Sequence, residues 1–196
     1  MALLYDLQTE LGAVNEMLAS ISSSPVDRLV GDEVPPDATA AHKVLLDTMR
    51  SFQNSPEGWY WNTETMDLQP AVPSGEVLIP LNTLKVAACD PRYVARGNRL
   101  YDTKDHTYAI GRAVTVTLTF LLGFEDMPNA AREFVALKAK RVFQANEQGN
   151  NATISRPDED ELRAFAAVLN EHAEVIQANV VGGWHSVRAD FRGAFR

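Results

Sequence analysis

The 196-residue chain is 45% apolar and 22% charged, the balance of a globular protein rather than a disordered one, and it is long enough for one good core or for two small subdomains sharing one. Its 18 basic and 26 acidic residues leave a net charge of −8, which argues against non-specific phosphate binding by the chain as a whole. A single cysteine, Cys89, excludes an internal disulfide and fits a reducing cytoplasm; no signal peptide and no membrane-spanning run is expected.

The charge is uneven along the chain. Residues 1–58 carry nine acids and three bases, whereas residues 92–112 carry Arg92, Arg96, Arg99, Lys104 and Arg112 against Asp102 and Asp105. A basic segment in an acidic chain is either a surface for a partner or a solvated face laced with local salt bridges.

In chain order, Leu7, Leu11, Val14, Leu18 and Ile21 recur at spacings of four and three, which predicts a first helix over 7–21 with Asp6 as its cap. Ser22-Ser23-Ser24-Pro25 stops it. A second helix is expected from Asp37 or Thr39 to about Phe52, burying Ala41, Leu45, Thr48 or Met49, and Phe52. From Trp59-Tyr60-Trp61 the pattern becomes that of β structure, with short apolar runs at Val77-Leu78-Ile79 and Val86-Ala87-Ala88-Cys89. Residues 93–102 read as a hairpin, because Gly97-Asn98 is a two-residue turn that accepts positive φ.

Val114, Val116, Leu118 and Phe120 alternate with threonines, which predicts a half-buried strand that closes a small antiparallel sheet. Asp126 and Pro128 then suit a helix entrance. The third helix, 129–147, places Ala131, Phe134, Val135, Val142 and Ala145 on one face, with Lys138 near its middle. Lys138 either lays its stem on apolar surface or meets a carboxylate of another element or another subunit. Asp158 to Glu161 crowd the first turn of a fourth helix, where the dipole favours acids. That helix is expected to bury Leu162, Phe165, Ala166, Leu169, Ala173 and Ile176 and to end at Gly182-Gly183. Beyond it, Trp184, Arg188, Phe191 and Arg192 make an aromatic and basic stretch, either a free tail or an arm that orders on a partner.

No phosphate loop, nucleophile elbow, histidine pair at metal-binding spacing or Cys-His cluster is present, so no catalytic residue, metal or cofactor is expected. Glu125-Asp126 reads as a capping pair. Trp59-Tyr60-Trp61 beside Glu57 and Glu64 admits a sugar-stacking, hydrolytic site, against core aromatics at the start of a sheet. Arg92, Arg96 and Arg99 admit a nucleic-acid contact, which the overall charge disfavours.

Four segments, LGAVNEMLASISSSPVDRLVGD, GWYWNTE, YVARGNRLYD and FEDMPNAAREFVALKAKRVF, carry a resemblance to the tail tubular protein A family of short-tailed bacteriophages, in the family's order and spacing from about residue 4 to residue 181. The resemblance implies a virion protein, made in the host cytoplasm and placed at the head–tail junction. It would form a twelve-fold ring between the portal protein and the tail nozzle, tubular protein B, through which DNA passes without specific binding, with no membrane involved. The expected fold is α+β: a helical bundle layer from residues 1–56 and 125–181, a small antiparallel β subdomain at 57–124 inserted between the second and third helices, and a C-terminal arm at 182–196. Arg92, Arg96, Arg99, Lys104, Lys138, Trp184, Arg188, Phe191 and Arg192 are the candidate partner contacts. The competing reading is a carbohydrate hydrolase using the acids near Trp59-Tyr60-Trp61.

Overall fold

The computed structural model describes residues 9–31, 33–56, 58–148 and 158–193, and for residues 148 and 178–193 the backbone alone. The fold is α+β, with four helices among the described residues and a β region inserted between the second and third: α1 (Glu10–Ser20), α2 (Pro36–Gln53), β1 (Thr63–Leu68), β2 (Thr83–Ala88), β3 (Tyr93–Arg96), β4 (Arg99–Asp102), β5 (Val114–Phe120), α3 (Asn129–Gln148) and α4 (Glu159–Gly193). Two compact units emerge, one of residues 1–49 and 124–196 and one of Arg50–Gly123, so that α2 contributes to both.

In the helical unit, α1 is capped by Thr9, whose hydroxyl accepts the Gly12 amide at 3.0 Å; Asp6, the expected cap, lies outside the described residues. Ala13, Val14, Met17 and Leu18 are buried on its inner side. The buried Asn15 amide grips the Val26 backbone from both sides, at 2.9 and 2.8 Å, and so fixes the loop that follows Ser22. Helix α2 opens on Pro36, whose missing amide costs nothing at a helix start; it buries Ala41, Leu45, Phe52 and both Thr48 and Met49 as expected, and Ala38 besides. Helix α3 begins one residue after Pro128. Ala131, Phe134, Val135 and Ala145 are buried as expected, but Val142 is only half-buried, while Ala139 and Phe143 are fully so. It meets α1 through Lys140–Glu16 and Gln144 to the Ser20 carbonyl, both at 3.3 Å.

Helix α4 departs most from expectation. It turns Glu161, Ala164 and Val168 inward, with the Phe165 ring 5.0 Å from that of Phe134. Leu162, Leu169 and Ile176, expected in the core, are 53%, 43% and 44% exposed, with Ala166 and Ala173 exposed between them. The helix has two apolar faces about 100° apart, and periodicity alone does not say which one is covered. Its backbone also runs through Gly182-Gly183, the expected stop, as far as Gly193. Each glycine costs a helix about 1 kcal/mol, and with no proline following, propagation from a long established helix carries across them.

In the β unit, β5 does not close the sheet but forms its centre, flanked antiparallel by β1 and β2 in the order β1-β5-β2. Thr65 faces Thr117 and Asp67 faces Thr115 on the outer side, with hydrogen bonds at 2.9 and 2.5 Å. Val114, Val116 and Leu118 point the other way and pack with Val77, Ile79, Tyr93 and Leu100. Strands β3 and β4 form the predicted hairpin, with Gly97 at φ +64° in its turn. Residues 77–79 pair with β4 on its other side: the Leu100 amide reaches the Val77 carbonyl at 2.9 Å, and the Ile79 amide the Asn98 carbonyl at 2.8 Å.

Candidate functional site

The basic segment divides into charges that hold the hairpin together and charges that do not. Arg92, just before β3, donates from Nε to both carboxylate oxygens of Asp102 at 2.7 Å, and also pairs with Asp105. Asp102 is buried and takes two further bonds from the Lys104 and Asp105 amides, at 2.9 and 3.1 Å. The hydrogen bond from Arg92 holds the Asp102 carboxyl well below the usual carboxylate range, and the same bond raises the guanidinium. Arg112 donates to the Tyr93 hydroxyl at 2.9 Å. The adjoining cleft of about 300 Å³, lined by Arg92, Asp102, Asp105, Thr107, Ala109, Ile110 and Arg112, therefore has its acids already engaged.

Antiparallel pairing sorts the hairpin into two faces. Tyr93 and Leu100 point into the core. The register Val94↔Tyr101, Arg96↔Arg99 and Leu78↔Arg99 puts Leu78, Val94, Arg96, Arg99 and Tyr101 together on the outside. There Arg99 pairs with Glu76 and stands 4.1 Å from the centre of the Tyr108 ring. Arg96 lies 3.8 Å from the centre of the Tyr101 ring, and the two tyrosines meet edge to face at 4.9 Å. Among the described residues no carboxylate lies within ion-pair distance of Arg96 or Lys104, and both are exposed.

The aromatic cluster is structural. Trp59 is buried, its indole N–H donates to the Phe52 carbonyl at 2.9 Å, and its ring lies 4.8 Å from Phe52 and stacks on Trp61 at 6.5 Å. Beside it, the buried Asn62 donates to the Gln53 and Phe120 carbonyls at 3.0 and 3.1 Å and accepts the Trp59 amide at 3.0 Å. Gln53 in turn clamps both backbone groups of Leu122, at 3.0 and 2.8 Å. These two amides tie the end of α2 to the sheet, and sequence reasoning missed both. The only local signal is their position between an apolar helix and an aromatic run. Glu64 is exposed on the edge strand β1, and Glu57 lies outside the described residues. Among the described residues, no group of three His, Cys, Asp or Glu could hold a metal, and no helix is long and apolar enough to cross a membrane.

In the helical unit the Lys138 ammonium stands 5.5 Å from the centre of the Phe134 ring, on its own helix. The carboxylate considered for it within the protomer is absent among the described residues. The buried pair is instead Arg141 and Glu161, joining α3 to α4 at 2.5 and 3.1 Å, and the hydrogen bond to Glu161 raises the Arg141 guanidinium. In sequence Glu161 is one of four dipole-favoured acids, and only its distant partner Arg141 distinguishes it. Trp184, Arg188, Phe191 and Arg192 fall on the last turns of α4, where the backbone alone is described.

The outer face of the hairpin thus gathers arginine, tyrosine and aliphatic side chains, while Arg92 and Asp102 are used internally. The tail tubular protein family matches residues 11–178, from α1 through the whole β unit and into α4. Over 165 residues the chain is 26% identical to the tail tubular protein A of Klebsiella phage KP34, covering 83% of this chain and 86% of that protein. The chain belongs to the tail tubular protein family, and with it to the structural components of the phage tail.

Proposed function

We propose that the protein is a ring-forming head-to-tail adaptor: copies of it, twelve by resemblance, sit between the portal protein and the nozzle protein, tubular protein B, and form part of the DNA channel. The observation that supports this is that the family match runs through both units, so the resemblance covers a protomer and not a shared module. The charge is consistent with the role, since an acidic protein repels the phosphates that pass it. Of the candidate contacts, Arg92 and Arg99 already serve the hairpin, which leaves Arg96 and Lys104 in the β unit, Lys138 in α3, and Trp184, Arg188, Phe191 and Arg192 at the end of α4. Bond-breaking chemistry at the aromatic cluster is not part of this reading, because the Trp59 indole N–H and ring are both engaged inside the β unit. Phage deleted for this protein should accumulate DNA-filled heads without tails in electron micrographs. Tailed particles from the deletion would overturn the assignment.

A further inference from the structure

The outer face of the β3–β4 hairpin has the composition of a binding hot spot. We infer that it docks on the acidic helical unit of a neighbouring copy of this chain. The inference deepens the adaptor reading, and rests on it for the existence of a ring. The face is partly apolar, since Leu78 is 49% and Val94 36% exposed on either side of the stacked Arg96 and Tyr101. Hot spots are enriched in arginine and tyrosine: tyrosine brings a large, stiff contact area at little entropic cost, and arginine a planar fork of donors that stacks on aromatic faces. Stacking holds the Arg96 plane in place while leaving its N–H fork unpaired by any described acid, so a carboxylate is the group that completes it.

The chain itself supplies that carboxylate surface. Residues 50–123 hold seven bases and seven acids, so the entire −8 belongs to the helical unit, which holds 11 bases and 19 acids. Hairpin against hairpin would bring Arg96 and Lys104 against their own copies, and like charges in register repel. Hairpin against helical unit pairs opposite signs, and each copy then offers one surface of each kind. Such a contact is head-to-tail, the type that generates rings rather than two-fold dimers.

The test uses assembled phage particles carrying the full chain with Val94→p-benzoylphenylalanine, irradiated and analysed by mass spectrometry. The expected product has twice the chain mass, with the linked peptide in the helical unit of the second copy. A link to DNA, to another polypeptide or to a second hairpin would overturn the inference, as would no product from particles that contain the chain. In parallel, Arg96→Glu should lower the yield of tailed particles at least tenfold with an unchanged melting temperature, and Arg96→Lys should recover part of it. Wild-type yield from Arg96→Glu sinks this contact and leaves the adaptor assignment standing; tailed particles from the deletion sink the assignment itself.

Discussion

The two units of the chain solve the same problem, making a small core with limited apolar surface, by different means. The β unit is electrically neutral, and its polar side chains work as internal fasteners: Asn62 and Gln53 on backbone groups, Asp102 on Arg92 and two amides. The helical unit carries the whole net charge and packs alanine-rich faces, with Ala131, Ala136, Ala139, Ala145 and Ala164 all buried, and sets one ion pair between α3 and α4. A unit fastened by hydrogen bonds to its own backbone keeps its shape without a partner. The helical unit, by contrast, leaves Leu162, Leu169 and Ile176 of α4 partly exposed.

The sharpest way to break this comparison is Glu161→Ala, which takes from the buried Arg141 cation the carboxylate that bonds it at 2.5 and 3.1 Å. Removing one member of a buried pair costs about 3–5 kcal/mol, so urea unfolding followed by helical circular dichroism should show a loss of that size. The double substitution Arg141→Met with Glu161→Leu should recover most of it, since an apolar pair of similar volume has no charge to desolvate. A loss under about 1 kcal/mol from Glu161→Ala would mean that the ion pair is open to water, and the contrast between the units would fail.

These fasteners also mark the limit of what the sequence tells. The helices α1 and α2, the hairpin and the central strand are legible because periodicity and turn chemistry are local: Ala41, Leu45 and Met49 repeat within one element, and Gly97-Asn98 lies within one turn. Asn62 reaches the Phe120 carbonyl 58 residues away, and Gln53 reaches Leu122 across 69. As letters Asn62 is a turn former and Gln53 a helix former, and nothing near them in sequence names the partner. The α4 stripe failed for the complementary reason. Its spacing of four and three shows that one face is apolar, but burial depends on where α3 lies, and α3 covers the face one residue round.

A second, smaller effect tests the β unit by its core. Leu118 is fully buried at the centre of β5, and Leu118→Ala should cost about 3 kcal/mol. Trp59 and Trp61 report that unit alone once Trp184→Phe removes the third tryptophan of the chain. An unchanged urea midpoint of the tryptophan signal would show that the sheet tolerates the cavity by collapsing around it.

The smallest effect is present in full at neutral pH, fades in acid, and concerns Asp102. Its carboxyl titrates below the unfolded value of about 3.9 because Arg92 and two amides bind the charged form. A depressed folded value stabilises the β unit in full above the unfolded value. The contribution is lost as pH falls from about 4 toward the folded value, because there the unfolded chain takes up the proton first. The raised Arg92 adds no pH dependence, since it remains charged in both states across this range. Asp102→Asn keeps the shape and removes the charge. Its urea midpoint, read by Trp59 and Trp61, should therefore lie below that of the wild type at pH 6, and the two should converge as pH drops below about 4. A constant gap down to pH 2 would assign the effect of Asp102 to shape alone. The hairpin would then be held by its turn and its ladder, and Arg92 would join Arg96 among the charges available to a neighbour.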